Sequence, residues 1–376
     1  MNRSHASTIW RAGVTILGVS AVALGLALSS SPITAAVGTT STTSTTTTTL
    51  PASTTTTGVS TTTSTPSTTT TFSKAPLAWP ASGSAALLVP QLSVAAQSPR
   101  QPRQPIASLT KLMTAWVVLH RLPLSANQVG PCEVVNGSDM ALYEYDEATD
   151  QSGVPIKLGE QLCERTLLRG MLVHSAGDYA QLLAALTGMS QSAFVNVMNQ
   201  TAKSLGLKST HYVDVTGISS GDVSTAANQV VVTADLMSEE PVVRGIVILP
   251  QVSLPLAGVV QSYTPFTGQS NVIGVKSGYT NDAGGCDAMA VVDTIGTSTY
   301  TTYVVVLGQH TWNALGVAGG DALALSRSIR TLMARVRTSS GIQVEWIGSP
   351  SDVATTTTTT STTSTTTTTT TLVPTT

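Results

Sequence analysis

The stretch NVIGVKSGYTNDAGGCDAMAVVDTIGTSTYTTYVVVLG, Asn271–Gly308, decides the fold. Within it Val272–Val275, Ala288–Val292 and Tyr303–Leu307 are short Val-rich runs bounded by Gly, Asn and Asp. β-Branched residues suit a pleated, half-buried surface, and turn residues at the ends of each run mark strands. Outward from there, Gly319–Val336 returns to helical spacing. Far upstream, Ala85–Val89 and Leu92–Ala96 are apolar runs split by Pro90-Gln91, which reads as a strand pair. From Arg121 to Glu240 the chain is chiefly helix and loop, with Leu162–Val173 and Tyr179–Leu186 the strongest helical patterns. Strands at both ends with helices between predict an α+β domain, its mainly antiparallel sheet completed by distant segments and a helical subdomain set against it.

Composition places that domain within the 376 residues. Only 10% of the chain is charged, because no charged residue lies between Arg11 and Lys74 or after Asp352. The block from Lys74 to Asp352 holds 16 Lys/Arg against 20 Asp/Glu. It is long enough to bury a large core, and it offers no basic excess for nucleic acid. Residues 1–36 carry Arg3 and Arg11, an apolar run from Ala12 to Leu28, a break at Pro32 and small residues after it. That is the pattern of a secretory signal peptide, with an uncleaved membrane anchor as the alternative. Residues 37–73 are mostly Thr and Ser, and residues 354–376 repeat that composition. Such tracts lack the apolar surface that offsets chain entropy and are expected to be a disordered linker and tail, either bare or carrying O-linked sugars. The block between them, 74–353, is the expected folded domain, exported to an extracytoplasmic or cell-wall location whether the signal is cleaved or retained. Three cysteines, Cys132, Cys163 and Cys286, have no metal-ligand spacing. They read either as a Cys132–Cys163 disulfide with Cys286 free or as three buried thiols.

The chemistry concentrates in three segments. Ser108-Leu109-Thr110-Lys111 opens a helix whose Leu109, Leu112, Met113, Trp116, Val117 and Leu119 are apolar nearly all round. A spacing of three puts Ser108 and Lys111 on one face. A lysine in an apolar setting loses part of its preference for the charged form and becomes able to take a serine proton. The bland reading is an N-cap serine beside a solvated lysine. His174-Ser175-Ala176-Gly177-Asp178 joins two helices and reads as a cap or as part of a site. Lys276-Ser277-Gly278-Tyr279 follows Val272–Val275, where a lysine and a hydroxyl on an edge strand suit a carboxylate and glycine admits a substrate close to the backbone.

Pro105–Ala115, Leu167–Ser175 and Gly274–Thr280 followed by Ala283–Cys286 resemble, in order, the three motif segments of the serine-type D-Ala-D-Ala carboxypeptidases, the low-molecular-mass penicillin-binding proteins. Ser224-Thr225-Ala226 resembles a family segment between the second and third motifs. The similarity covers about residues 80–335. It implies a β-lactamase/transpeptidase-like fold, with Ser108 as acylated nucleophile, Lys111 as its base and Ser175 as a proton relay. It also implies that Lys276 and Ser277, with Gly278 and Tyr279, bind the substrate, and that the N–H groups of Ser108 and Tyr279 form an oxyanion hole. The implied substrate is the D-Ala-D-Ala end of peptidoglycan stem peptides, the implied inhibitors are β-lactams, and no metal or cofactor is suggested.

Two positions depart from the family pattern. Gly177 stands where the second motif has Asn, so an amide facing substrate and lysine is missing. No arginine occurs from Gly308 to Ser326, where the family often has one. These departures favour, as the alternative, a weakly active or non-catalytic wall-binding protein. A class A β-lactamase is disfavoured because its Glu should follow the second motif, whereas Glu164-x-x-Leu167 precedes Ser175.

Overall fold

The computed structural model describes residues 62–74, 77–149, 151–340 and 354–366. Ser84–Val89 (β1) is buried at every position, as a strand covered on both faces must be. A 3-10 turn at Pro90–Leu92 then reverses the chain into Val94–Gln97 (β2). Leu92 therefore belongs to the turn, not to the second strand as its hydrophobicity suggests: the turn closes with Ser93 in a left-handed conformation, its N–H on the Pro90 carbonyl.

Helices follow. Thr110–Arg121 (α1) is buried from Thr110 to Leu119. Gly137–Ala148 (α2) starts on an Asn136 capping box. Glu164–Val173 (α3), Gly177–Leu186 (α4), Gln191–Ser204 (α5), Ala226–Glu239 (α6) and Pro241–Val247 (α7) complete the helical subdomain. The chain returns to the sheet as Val272–Thr280 (β3), Gly284–Ile295 (β4) and Ser298–Gln309 (β5), and Ala314–Ser340 (α8) closes it. All three strands outrun their Val-rich centres because backbone pairing, not side-chain hydrophobicity, sets where a ladder ends. Lys276-Ser277-Gly278 thus lies inside β3.

The sheet order is β3-β4-β5-β1-β2, antiparallel throughout. Its two faces obey the period of two. Ala86, Leu88, Ala288, Ala290 and Val305 face the subdomain core with α1. Leu87, Met289, Val304 and Val306 face Ala318, Ala322, Leu325 and Ile329 of α8.

Cys132–Val134 pairs with Gln161–Cys163, and Cys132 and Cys163 stand directly opposite and form a disulfide. Cys286 is free and buried. Leu162 and Cys163 are consequently strand, not the first residues of a helix, because the cross-strand bond holds them extended and α3 begins one residue later. The disulfide closes the base of an excursion that carries α2.

Contacts group Lys74–Thr355 as one unit and the Thr-rich segments as another. Thr62–Lys74 and Ala354–Thr366 form a two-stranded sheet. β-Branched threonine has high strand propensity even where it has little apolar surface to bury. The N-terminal apolar run and the first part of the Thr/Ser tract lie outside the described residues. Among the described residues no helix is long and apolar enough to cross a membrane.

Reducing the Cys132–Cys163 bond should lower the unfolding free energy by about 2–4 kcal/mol, the usual effect of opening a loop of this length. Urea unfolding with and without a phosphine reductant measures it. An unchanged midpoint would mean that packing alone holds the excursion.

Candidate active site

Ser108 sits in the 3-10 turn Ala107–Leu109 that leads into α1. Gln104-Pro105 pairs with Val223-Ser224, and the Ile106 N–H bonds the Asp222 carbonyl at 3.1 Å. Farther along, the Thr110 hydroxyl donates to Asp222 Oδ2 at 3.0 Å and the Thr114 hydroxyl to the Val215 carbonyl at 2.7 Å. These bonds hold Ala107 at φ +48°, a left-handed conformation unfavourable for a residue with a Cβ, directly before the serine.

β3 passes the same turn at close range. A Cβ on Gly278 would lie 2.5 Å from the Ser108 nitrogen and 3.0 Å from the Ala107 Cβ, so only glycine fits. A Cβ on Gly217 would overlap the Ala107 carbonyl from another side.

Lys111 Nζ donates to Ser108 Oγ at 2.9 Å and to the Thr216 carbonyl at 2.7 Å. Burial pulls its ammonium down to about 8, against Asp214, Asp146, Asp178 and Asp222, all of which favour the charged form. The amine is therefore available as a base near neutral pH. Asp214 and Asp222 also build the loop that delivers Thr216 and Gly217. Asp214 Oδ1 accepts the N–H groups of Thr216 and Gly217, both at 2.6 Å, and Oδ2 that of Ser219 at 2.8 Å. Burial pushes Asp214 upward, but these bonds outweigh it and hold the carboxyl below its ordinary value. Asp222 accepts from Val213 and Asp214, and burial and the Asp214 charge raise it to about 7.

A second serine–lysine pair faces the first. Lys276 Nζ is fully buried and donates to Ser175 Oγ at 2.9 Å and to the Ser277 carbonyl at 2.6 Å. Burial and the neighbouring Lys111 charge depress Lys276 well below its ordinary value, with Asp287 pulling the other way. Ser175 is held at φ +64°. The Ser277 hydroxyl donates to the Tyr263 carbonyl at 2.8 Å. Tyr263 in turn stacks on His174 with ring centroids 4.4 Å apart.

The cleft between these elements encloses about 270 Å³. Ser108, Lys111, Ser175, Ser277, Gly278 and Tyr279 line it, together with Ser152, Gly177, Gly217 and Tyr263. Six of the seven residues singled out from the sequence thus line the cleft. The seventh, Lys276, stands behind Ser175 and touches the cleft through that hydroxyl. Sequence reading missed the Asp214–Asp222 loop and Tyr263. Asp214 three residues before Gly217 is the one local signal that was present, since such pairs mark side-chain-braced turns.

A family model described as D-alanyl-D-alanine carboxypeptidase matches residues 83–311. The chain is 39% identical over 125 residues to the D-alanyl-D-alanine endopeptidase of Pseudomonas aeruginosa, covering 32% of this chain and 36% of that protein. It is 32% identical over 189 residues to the D-alanyl-D-alanine carboxypeptidase DacD of Escherichia coli, covering 49% and 47%. The match thus spans less than half the length of these two relatives. The Streptomyces K15 DD-transpeptidase has the same fold, with a TM-score of 0.57 at 21% identity over 67% of this chain and 98% of that one.

Lys111 should titrate near 8 in the folded protein, against 10.5 for an ordinary lysine. The folded form gives up its proton at the lower value and the unfolded chain at the higher, so this group makes stability rise with pH between the two. NMR of the lysine side-chain carbons, assigned with Lys111→Arg, reads the midpoint directly. A value above 10 would remove the base from this site.

Proposed function

Because the chain belongs to the D-alanyl-D-alanine carboxypeptidase family, we propose that it is a serine hydrolase that removes the terminal D-alanine from peptidoglycan stem peptides, with Ser108 as nucleophile and Lys111 as its base. The observation that carries this reading is the 2.9 Å bond between Ser108 Oγ and a buried Lys111 whose proton leaves at about 8. Neutral Lys111 takes the hydroxyl proton as Ser108 Oγ bonds to the carbonyl carbon of the penultimate D-alanine. The negative charge developing on the carbonyl oxygen falls to the N–H groups of Ser108 and Tyr279, which the close pass of Gly278 supports as neighbours. The C–N bond breaks, and the leaving D-alanine amine takes the proton that Lys111 had received from Ser108. Water then attacks the ester, returns a proton to Ser108 and releases the shortened peptide. Ser277 binds the terminal carboxylate, and Lys276 fixes the Ser175 hydroxyl from behind at 2.9 Å. A β-lactam inhibits by presenting a strained carbonyl to the same serine.

This substrate places the protein outside the cytoplasm at the cell wall, with residues 1–36 as an export signal or membrane anchor. In the same proposal residues 74–353 are the working domain, and the flanking Thr-rich tracts are a spacer and tail.

Benzylpenicillin should add its mass once to the full chain, on the tryptic peptide that holds Ser108, and Ser108→Ala should abolish the adduct. An adduct on another serine, or none at millimolar drug, refutes the assignment.

Acylation should speed up about tenfold between pH 7 and pH 9 as Lys111 loses its proton. Lys111→Arg keeps the charge but supplies no neutral amine, so it should abolish acylation while leaving the fold intact. Stopped-flow acylation and circular dichroism check both. Normal acylation by the arginine variant would move the base elsewhere.

A further inference from the structure

The bare backbone at Gly177 does not leave an unfilled space. A Cβ there would lie 3.3 Å from Asp146 Oδ2 and 3.4 Å from the Ser152 carbonyl. The Gly177 N–H bonds that carbonyl at 2.7 Å, and Gly177 and Ser152 both line the cleft. The carboxylate therefore stands in tight contact with the point from which a side chain at position 177 would extend, and it is brought there from a different element. Asp146 is on the last turn of α2, within the excursion closed by the disulfide, and its carbonyl accepts the Gln151 N–H at 2.9 Å, turning the chain toward Ser152.

Asp146 is 1% exposed, and Oδ2 has no hydrogen-bond partner. A buried carboxylate oxygen without a donor is costly, and it persists where a charge nearby repays it. The charge within its reach is that of Lys111. Burial raises the Asp146 carboxyl and Lys111 pulls it back down, while Asp146 reciprocally favours the charged form of Lys111.

We propose that Asp146 is the positioning residue of the second motif in this protein: its carboxylate is seated where a side chain at position 177 would extend, and its charge favours the Lys111 ammonium formed when Ser108 gives up its proton. The inference rests on the reading of Lys111 as the base of Ser108. On this proposal Gly177 still lacks an amide, but a polar group reaches the same place from α2. The other ionisable groups acting on the same amine are Asp178 from α4, Asp214 and Asp222 from the loop after α5, and Lys276 from β3. Asp178, raised to about 7 chiefly by burial, is turned toward the Val154 N–H, at 3.1 Å. Asp214 and Asp222 are occupied with backbone N–H groups of their own loop. Asp146 Oδ2 is the carboxylate oxygen among the four left without such a donor.

The test uses the full chain, benzylpenicillin as probe, and two readouts across pH 6–10: acylation rate and the Lys111 NMR midpoint. Asp146→Asn keeps the shape and removes the charge. It should move both midpoints below about 8, by roughly one pH unit, because an anion that favoured the ammonium is gone. The weaker base should also lower the high-pH plateau. A carboxylate with only a structural role would lower the plateau or the melting temperature and leave both midpoints in place, and that result overturns the proposal.

Gly177→Asn should slow acylation by roughly tenfold, because its side chain competes with Asp146 for one space. Combining it with Asp146→Ala should recover most of that loss. Equal losses in the two backgrounds would refute the shared space. If the wild-type chain takes no adduct on Ser108, the functional reading fails, and the Lys111 midpoint in Asp146→Asn still decides whether Asp146 acts on the lysine.

Discussion

An amine buried beside a hydroxyl has no water to carry its charge, and the structure around Ser108 and Lys111 follows from that constraint. Lys111 lies on a helix that is buried for ten consecutive residues, so its charged form depends on what the protein itself supplies. The supply comes from three directions: a carbonyl at Thr216, the Ser108 hydroxyl, and carboxylates placed at intermediate range. Were the carboxylates bonded directly to the amine, the lysine would stay charged. Kept back and largely engaged with backbone N–H groups, they leave it near 8.

The same economy explains the backbone strain. Ala107 and Ser175 both adopt left-handed conformations, and each adjoins or carries a hydroxyl of the site. Such residues cost free energy and survive when surrounding bonds over-determine them. Here those bonds come from the strand pair at Gln104-Pro105, from Asp222, and from the close passes of Gly278 and Gly217. The antiparallel sheet contributes rigidity rather than chemistry: β3 is anchored along its length to β4, so Gly278 is held against Ser108 by backbone pairing.

The excursion between Cys132 and Cys163 reaches the site. It brings Ser152 to the cleft and Asp146 beneath it, and its two ends are joined covalently. A helix whose outer face is polar and exposed has little apolar burial to hold it in place. The disulfide limits how far that helix can drift from the cleft.

Much of this was legible in the residues. The Val-rich runs, the return to helix at the C-terminal end and the apolar runs near Ala85 determined an α+β sheet closed by distant segments, because side-chain periodicity is a local property. Ser108 with Lys111, and Lys276 through Tyr279, were recognisable because their spacing fixes which faces they share. Other features were settled by the tertiary structure alone. Which cysteines pair depended on strand register. Lys276 proved to stand behind Ser175 because it points into the core from a strand edge. The turn at Leu92 and the strand at Leu162–Cys163 went against local hydrophobic pattern because backbone bonding partners lay elsewhere in the chain. Asp146 lies 31 residues before Gly177 on another helix, and no sequence period relates them. Burial, charge coupling and the sharing of one space are relations between distant segments, and they come into being only when the chain has folded.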